Sequence, residues 1–242
     1  MSGPRELFEA VARGDTARVA DLLEQSPDLV RASGAHGKTA LHLAAEHDRL
    51  DEARLLLGAG ADIEARTSWG ASPLDWAAVM GSSRVAEELM SRGAGGSTLL
   101  TAAALGRLAE VRAIVESEQD LATHRRRGAP QEPDDHWPAD SAHILGDVLS
   151  DALFAAGRNG QARVVEYLLG RGADIDAKGV FGGTALHWAA INGHEETVRL
   201  LLARGASRGV RDARFDSTPE GWAREGGHAR IAAMLQDGRE EG

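Results

Sequence analysis

The densest collection of chemically capable side chains in this chain lies in the run Thr123-His-Arg-Arg-Arg-Gly-Ala-Pro-Gln-Glu-Pro-Asp-Asp-His-Trp-Pro-Ala-Asp-Ser-Ala-His143. Asp134, Asp135, His136, Asp140 and His143 are residue types that hold zinc or another divalent ion, or that move protons in acid–base catalysis. Their spacing fits no established metal or catalytic signature. Carboxylates and histidines on a loop, without a rigid supporting shell, are ordinarily just solvated. We therefore assign them no metal, no cofactor and no catalytic role. Arg125, Arg126 and Arg127 offer a different chemistry, a clamp for an anionic group, and Trp137 offers an anchor for a partner. The same stretch reads equally as a solvated surface loop that Trp137 tacks down. Its three prolines and alternating charge blocks exclude a simple helix.

The rest of the chain narrows the chemistry further. It holds no Gly-x-Ser-x-Gly elbow, no phosphate loop and no His-Glu-x-x-His pair. Zero cysteines exclude a disulfide framework, a thiolate metal site and a cysteine nucleophile, and suit a reducing compartment. A formal net charge of −10 opposes nonspecific binding to nucleic acid or to an anionic membrane, both of which need clustered Lys and Arg. The first residues, MSGPRELFEAVARG, lack a cationic head followed by an apolar core, and no apolar run approaches a bilayer span. These features predict a cytoplasmic location. Lysine occurs only at Lys38 and Lys178, with arginine at every other basic position, which suggests a GC-rich, bacterial coding sequence.

The elements that must position any site are legible in a repeat. The motif Thr184-Ala-Leu-His-Trp-Ala-Ala190, followed by Gly193-His194 and the run Val198 to Leu202, recurs as TALHLAA at 39 to 45, SPLDWAA at 72 to 78 and TPEGWAR at 218 to 224. Blurred copies begin near Arg5, Ser97 and Asp151. Each residue type has a physical task. Thr39, Ser72, Thr184 and Thr218 stand where a hydroxyl caps a helix, and Pro73 and Pro219 follow at the first helical position, where a missing N–H costs nothing. The pairs Ala44-Ala45, Ala77-Ala78 and Ala189-Ala190 allow close helix contact. Gly81, Gly106, Gly160, Gly193 and Gly227 punctuate the turn into a second helix with apolar residues at helical spacing. The pattern resembles the ankyrin repeat family from Arg5 to Gln236, apart from one interruption. The resemblance implies an all-α fold, a helix-turn-helix solenoid with short β-hairpin fingers, whose worn first and last copies act as caps. Content that is 43% apolar but only 4% aromatic agrees with a thin core of small side chains. We read residues 1–242 as one domain, interrupted by an inserted loop at about 117–150.

Copies begin near 5, 39, 72, 97, 151, 184 and 218, giving steps of 34, 33, 25, 54, 33 and 34. The short step leaves too little chain between copies three and four for a projecting finger. The long step adds the loop, which is long enough inside a compact array to be either functional or disordered. Asp75 replaces the motif histidine in copy three, next to the missing finger. A weak seam is expected there.

Three residues before the motif starts lie His36, Trp69, Phe181 and Phe215. The resemblance places these at finger tips facing the concave side, where aromatic anchors dominate interface energetics. It also places Glu46, His47, Val79, Met80, Leu105, Arg158, Asn159, Ile191, Asn192 and Glu225 on the groove. Trp76, Trp188 and Trp222 fall in a slot that packs neighbouring first helices, so they read as structural first and groove-lining second. His42 and His187 read as members of an inter-repeat hydrogen-bond network, and His194 and His228 as structural residues after the turn glycine.

The function expected first is a non-catalytic scaffold, a monomer, that binds another protein through the concave groove and finger tips, and neither nucleic acid nor membrane. A second possibility is a small-molecule binder or enzyme with the 123–143 insertion as lid or active-site loop. A third is an inhibitor or immunity-type protein whose acidic surface covers a basic partner site.

Overall fold

A computed structural model describes residues 3–68, 70–95, 98–117, 148–179 and 182–236. Trp69, Phe181 and every insertion candidate (Arg125, Arg126, Arg127, Asp134, Asp135, His136, Trp137, Asp140 and His143) lie outside the described residues.

The described chain is built from helix pairs and falls into two compact units, Met1–Ser97 and Thr98–Gly242. The division coincides with the short step between copies three and four. The first unit contains α1 (Pro4–Arg13), α2 (Thr16–Gln25), α3 (Ala40–Glu46), α4 (Leu50–Gly58), α5 (Pro73–Met80) and α6 (Ser83–Ser91). The second contains α7 (Leu99–Ala104), α8 (Leu108–Glu116), α9 (Val148–Arg158), α10 (Ala162–Gly170), α11 (Ala185–Ile191), α12 (Glu195–Ala203), α13 (Pro219–Glu225) and α14 (Ala229–Gln236).

Within each unit the first helices of successive copies pack in one layer and the second helices in another. Thus α1, α3 and α5 stack in order, as do α7, α9, α11 and α13, with α2, α4 and α6, and α8, α10 and α12, behind them. The motif alanines Ala44, Ala45, Ala77, Ala78, Ala189 and Ala190 are buried where first helices meet, and Leu56, Leu89, Leu168 and Leu201 fill the second layer. No helix could bury its apolar face alone; stacking supplies the partner surface.

Threonine and histidine close each well-formed copy. The Thr39 N–H donates to His42 Nδ1 at 3.2 Å and the Thr184 N–H to His187 Nδ1 at 3.1 Å. Because Nδ1 accepts, the ring proton sits on Nε2. That nitrogen donates forward to the next finger, His42 to Ala71 O at 3.1 Å and His187 to Ser217 O at 3.2 Å. Asp75 keeps the local half of this arrangement, accepting from the Ser72 N–H at 3.0 Å and the Ser72 hydroxyl at 2.8 Å. It has no ring N–H to send forward, and its carboxylate pairs with Arg66 at 3.2 Å instead.

A second ladder runs over the turn glycines. His194 Nε2 meets Arg158 O at 3.0 Å, and Gln161 and Arg49 reach Ala104 O and Ala12 O in the same way. Gly160 must be glycine twice over. Its φ is +72°, and a Cβ there would lie 2.6 Å from His194 Nδ1. In copy two the corresponding turn uses Asp48 at φ +50°, whose carboxylate accepts from Arg84 of the next copy at 2.8 Å.

The expected β-hairpin fingers take another form among the described residues. The sole ladder contact there is an isolated antiparallel bridge between Ser33 and Thr39. The fingers are turns held by side chains, notably Asp62, Asp174 and Asp212, because glycine- and aspartate-rich segments this short satisfy their N–H groups locally.

Candidate recognition pocket

The last copy departs from the motif at a position that lines a pocket. In TPEGWAR, Thr218 caps α13 by accepting the Gly221 N–H at 3.4 Å, and Pro219 takes the first helical position. Gly221 stands where His42 and His187 stand in earlier copies. A Cβ at Gly221 would meet the Ser217 hydroxyl at 2.1 Å. That space is therefore filled by Ser217, and both residues line a pocket of about 490 Å³ together with Trp188, Ile191, Phe215, Trp222 and Glu225.

Its walls are aromatic. Trp188 and Trp222 meet edge to face with centroids 5.0 Å apart, and Phe154 and His187 extend the cluster at 5.8 Å from Trp188 and 5.2 Å from Trp222. The tryptophans are 7% and 5% exposed, so each serves core and pocket at once. Phe215 is 63% exposed, an exposure that packing does not account for in so large an apolar side chain.

One buried carboxylate fixes this arrangement. Asp212 Oδ1 accepts the N–H groups of Arg214 and Phe215 at 2.9 and 2.7 Å. Its Oδ2 accepts the Ser217 N–H and the Trp222 indole N–H, both at 2.9 Å. Burial opposes the charge on Asp212, but these four donors outweigh it and hold the carboxyl below its usual range. His187 adds its bond to Ser217 O from the other side. Finger tip and tryptophan are thus oriented before any ligand arrives.

The neighbouring copy shows what such a wall attracts. The Arg158 guanidinium lies 3.7 Å from the centroid of Trp188, and burial pushes its pKa down to about 9, so it remains a cation at neutral pH. Arg214 similarly covers Phe215 at 5.2 Å.

The expected binding residues fall in both units. In the second unit, Ile191, Phe215 and Glu225 come together in the pocket, with Arg158 behind Trp188. Asn192 donates to Arg158 O at 3.0 Å and Asn159 to Ala155 O at 2.8 Å, which commits both amides to helix ends. Leu105 is half-buried at the end of α7. In the first unit, His36 is exposed at φ +56° and accepts the Ser68 N–H, and His47 is exposed at the end of α3. Glu46 pairs with Lys38, which lies 4.6 Å from the Trp76 ring, while Val79 and Met80 are half-buried at the end of α5. The reading of the sequence missed Asp212, Ser217 and Gly221. The glycine of TPEGWAR in the place of the histidine of TALHWAA was the available signal. Among the described residues, no three His, Asp or Glu side chains gather as a metal site, and no helix is long and apolar enough to cross a membrane.

Comparison with known proteins agrees with this architecture. The family model for ankyrin repeats, in three copies, matches residues 7–98 and 150–240. The chain belongs to the ankyrin repeat family. It is 28% identical over 194 residues to human neurogenic locus notch homolog protein 2, covering 80% of this chain and 6% of that protein. It is 32% identical over 225 residues to the rice probable E3 ubiquitin-protein ligase XBOS32, covering 85% of this chain and 38% of the ligase. A Caenorhabditis elegans homolog of transient receptor potential cation channel subfamily A member 1 matches at 27% over 196 residues, 81% of this chain and 12% of the channel. The chain thus spans well under half of each of these relatives.

Proposed function

We propose that this chain is a non-catalytic scaffold that binds a partner protein, with the pocket of the last copies as the centre of the contact. Ankyrin repeats are in general protein-interaction modules. The observation that carries the reading is Phe215, exposed at a finger tip, beside Trp188 and Trp222, the second of which a buried carboxylate orients together with the Phe215 backbone. Exposed aromatic anchors next to a preformed concavity are the usual source of interface affinity. The groove residues Asn192 and Glu225 belong to the same unit as this pocket, and His47 and Met80 are proposed as further contacts on the first unit. On this reading residues 1–242 act as one cytoplasmic, monomeric array.

The test is affinity capture from the native host with matched variants. The scaffold reading expects one defined protein, retained by wild type and by the second-helix variant Arg163→Ala, and lost with Phe215→Ala. Capture that does not depend on Phe215 contradicts the placement of the site.

A further inference from the structure

The array contains its own template for what the pocket holds. Counting back from the turn glycines Gly160 and Gly193, Arg158 of copy five and Ile191 of copy six occupy the same repeat position, two residues before the glycine. Likewise Trp188 of copy six and Trp222 of copy seven share the slot five residues before Gly193 and Gly227. At the first junction the arginine of one copy lays its guanidinium over the tryptophan of the next, 3.7 Å from the centroid. At the second junction the arginine position is Ile191, and Trp222 carries no such cation among the described residues. The space is the pocket itself, bounded by Ile191, Trp222 and Phe215.

We propose that this pocket takes an arginine side chain from a basic segment of the partner protein. The inference rests on the scaffold reading for the identity of the occupant as protein, but the pocket chemistry stands on the structure alone. Three features favour a guanidinium. Aromatic faces attract cations through their quadrupole, and the planar guanidinium also stacks on them. Glu225 on the pocket lining supplies a carboxylate to pair with the cation. The formal net charge of −10 draws a basic segment toward this surface over longer range. Phe215 bounds the pocket from the finger, and Gly221 lies on the same lining.

The experiment uses the whole chain with N-acetyl-arginine methylamide as probe and its neutral isostere N-acetyl-citrulline methylamide as control, read by the indole N–H resonances of Trp188 and Trp222. The expected result is saturable movement of the Trp222 resonance by arginine, with citrulline about tenfold weaker or more, the size of a desolvated cation–π contact. Ile191→Arg should fill the pocket from within, as copy five does, and abolish probe binding while the melting temperature is kept. Phe215→Ala, at an exposed position, should weaken the probe severalfold with the fold unchanged. Equal binding of citrulline, or undiminished binding to Ile191→Arg, overturns the proposal. Should the arginine probe fail while partner capture still depends on Phe215, the scaffold reading survives without the arginine specificity. Should the probe bind while capture ignores Phe215, the scaffold reading is the part that falls.

Discussion

The indole N–H of Trp222 donates to Asp212 Oδ2 at 2.9 Å, and the same carboxylate oxygen accepts the Ser217 N–H at 2.9 Å. A residue of the finger loop thereby sets the orientation of a core tryptophan in the following helix. This coupling makes the pocket a property of the fold rather than of a ligand.

Asp212→Ala removes the acceptor for four donors, one of them the nearly buried Trp222 N–H. A buried donor left unsatisfied costs about 1–3 kcal/mol, so the variant should lose at least that much stability in urea denaturation. Asp212→Asn, which keeps an acceptor oxygen, should lose less. Wild-type stability in both variants would remove Asp212 from the account.

Acid should weaken the array through its buried histidines. Burial lowers the pKa of His187 to about 4 and shifts His42 and His194 in the same direction. Unfolded histidine titrates near pH 6.5, so below that value the unfolded chain binds more protons than the folded one. Stability that is complete above about pH 6.5 is therefore lost as pH falls toward about 4, by up to about 3 kcal/mol for His187 alone. Urea denaturation at pH 7.5 and 4.5 checks this, and His187→Gln should flatten the difference while lowering stability at pH 7.5. Equal wild-type stability at both pH values would contradict the neutral-ring assignment.

The two units should yield separately. Leu201 is fully buried in α12, and Leu201→Ala should cost about 2–5 kcal/mol as a large-to-small core change. Hydrogen exchange should accelerate within residues 148–236 and stay near wild type within α1 to α6. Equal acceleration throughout would show one cooperative array with no seam at copy three.

Much of the fold was readable because the ankyrin motif encodes it in local chemistry. Thr184 with His187, and the alanine pairs, dictate caps and close packing wherever they recur, so helix order followed from spacing alone. Asp75 signalled a break in the histidine ladder: its carboxylate caps its own helix and reaches back to Arg66 of the preceding copy. The fingers were less legible. A β-hairpin needs a ladder on both strands, whereas Asp212 satisfies the N–H groups of its turn singly. The pocket was hardest to foresee, since it depends on Ile191 standing where the preceding copy has Arg158. An absent side chain becomes informative only when the neighbouring copy shows what normally fills the space.

The most direct test of the central claim compares partner affinity with melting temperature for Phe215→Ala and Trp188→Ala. Phe215 projects from the finger tip, so its truncation should leave the melting temperature near wild type and weaken partner binding by about 2 kcal/mol, roughly thirtyfold. Trp188, 7% exposed between Phe154 and Trp222, should lower the melting temperature when truncated, with binding falling as a consequence. A Phe215→Ala protein that melts like wild type and binds its partner with wild-type affinity would contradict the claim that this pocket is the recognition site.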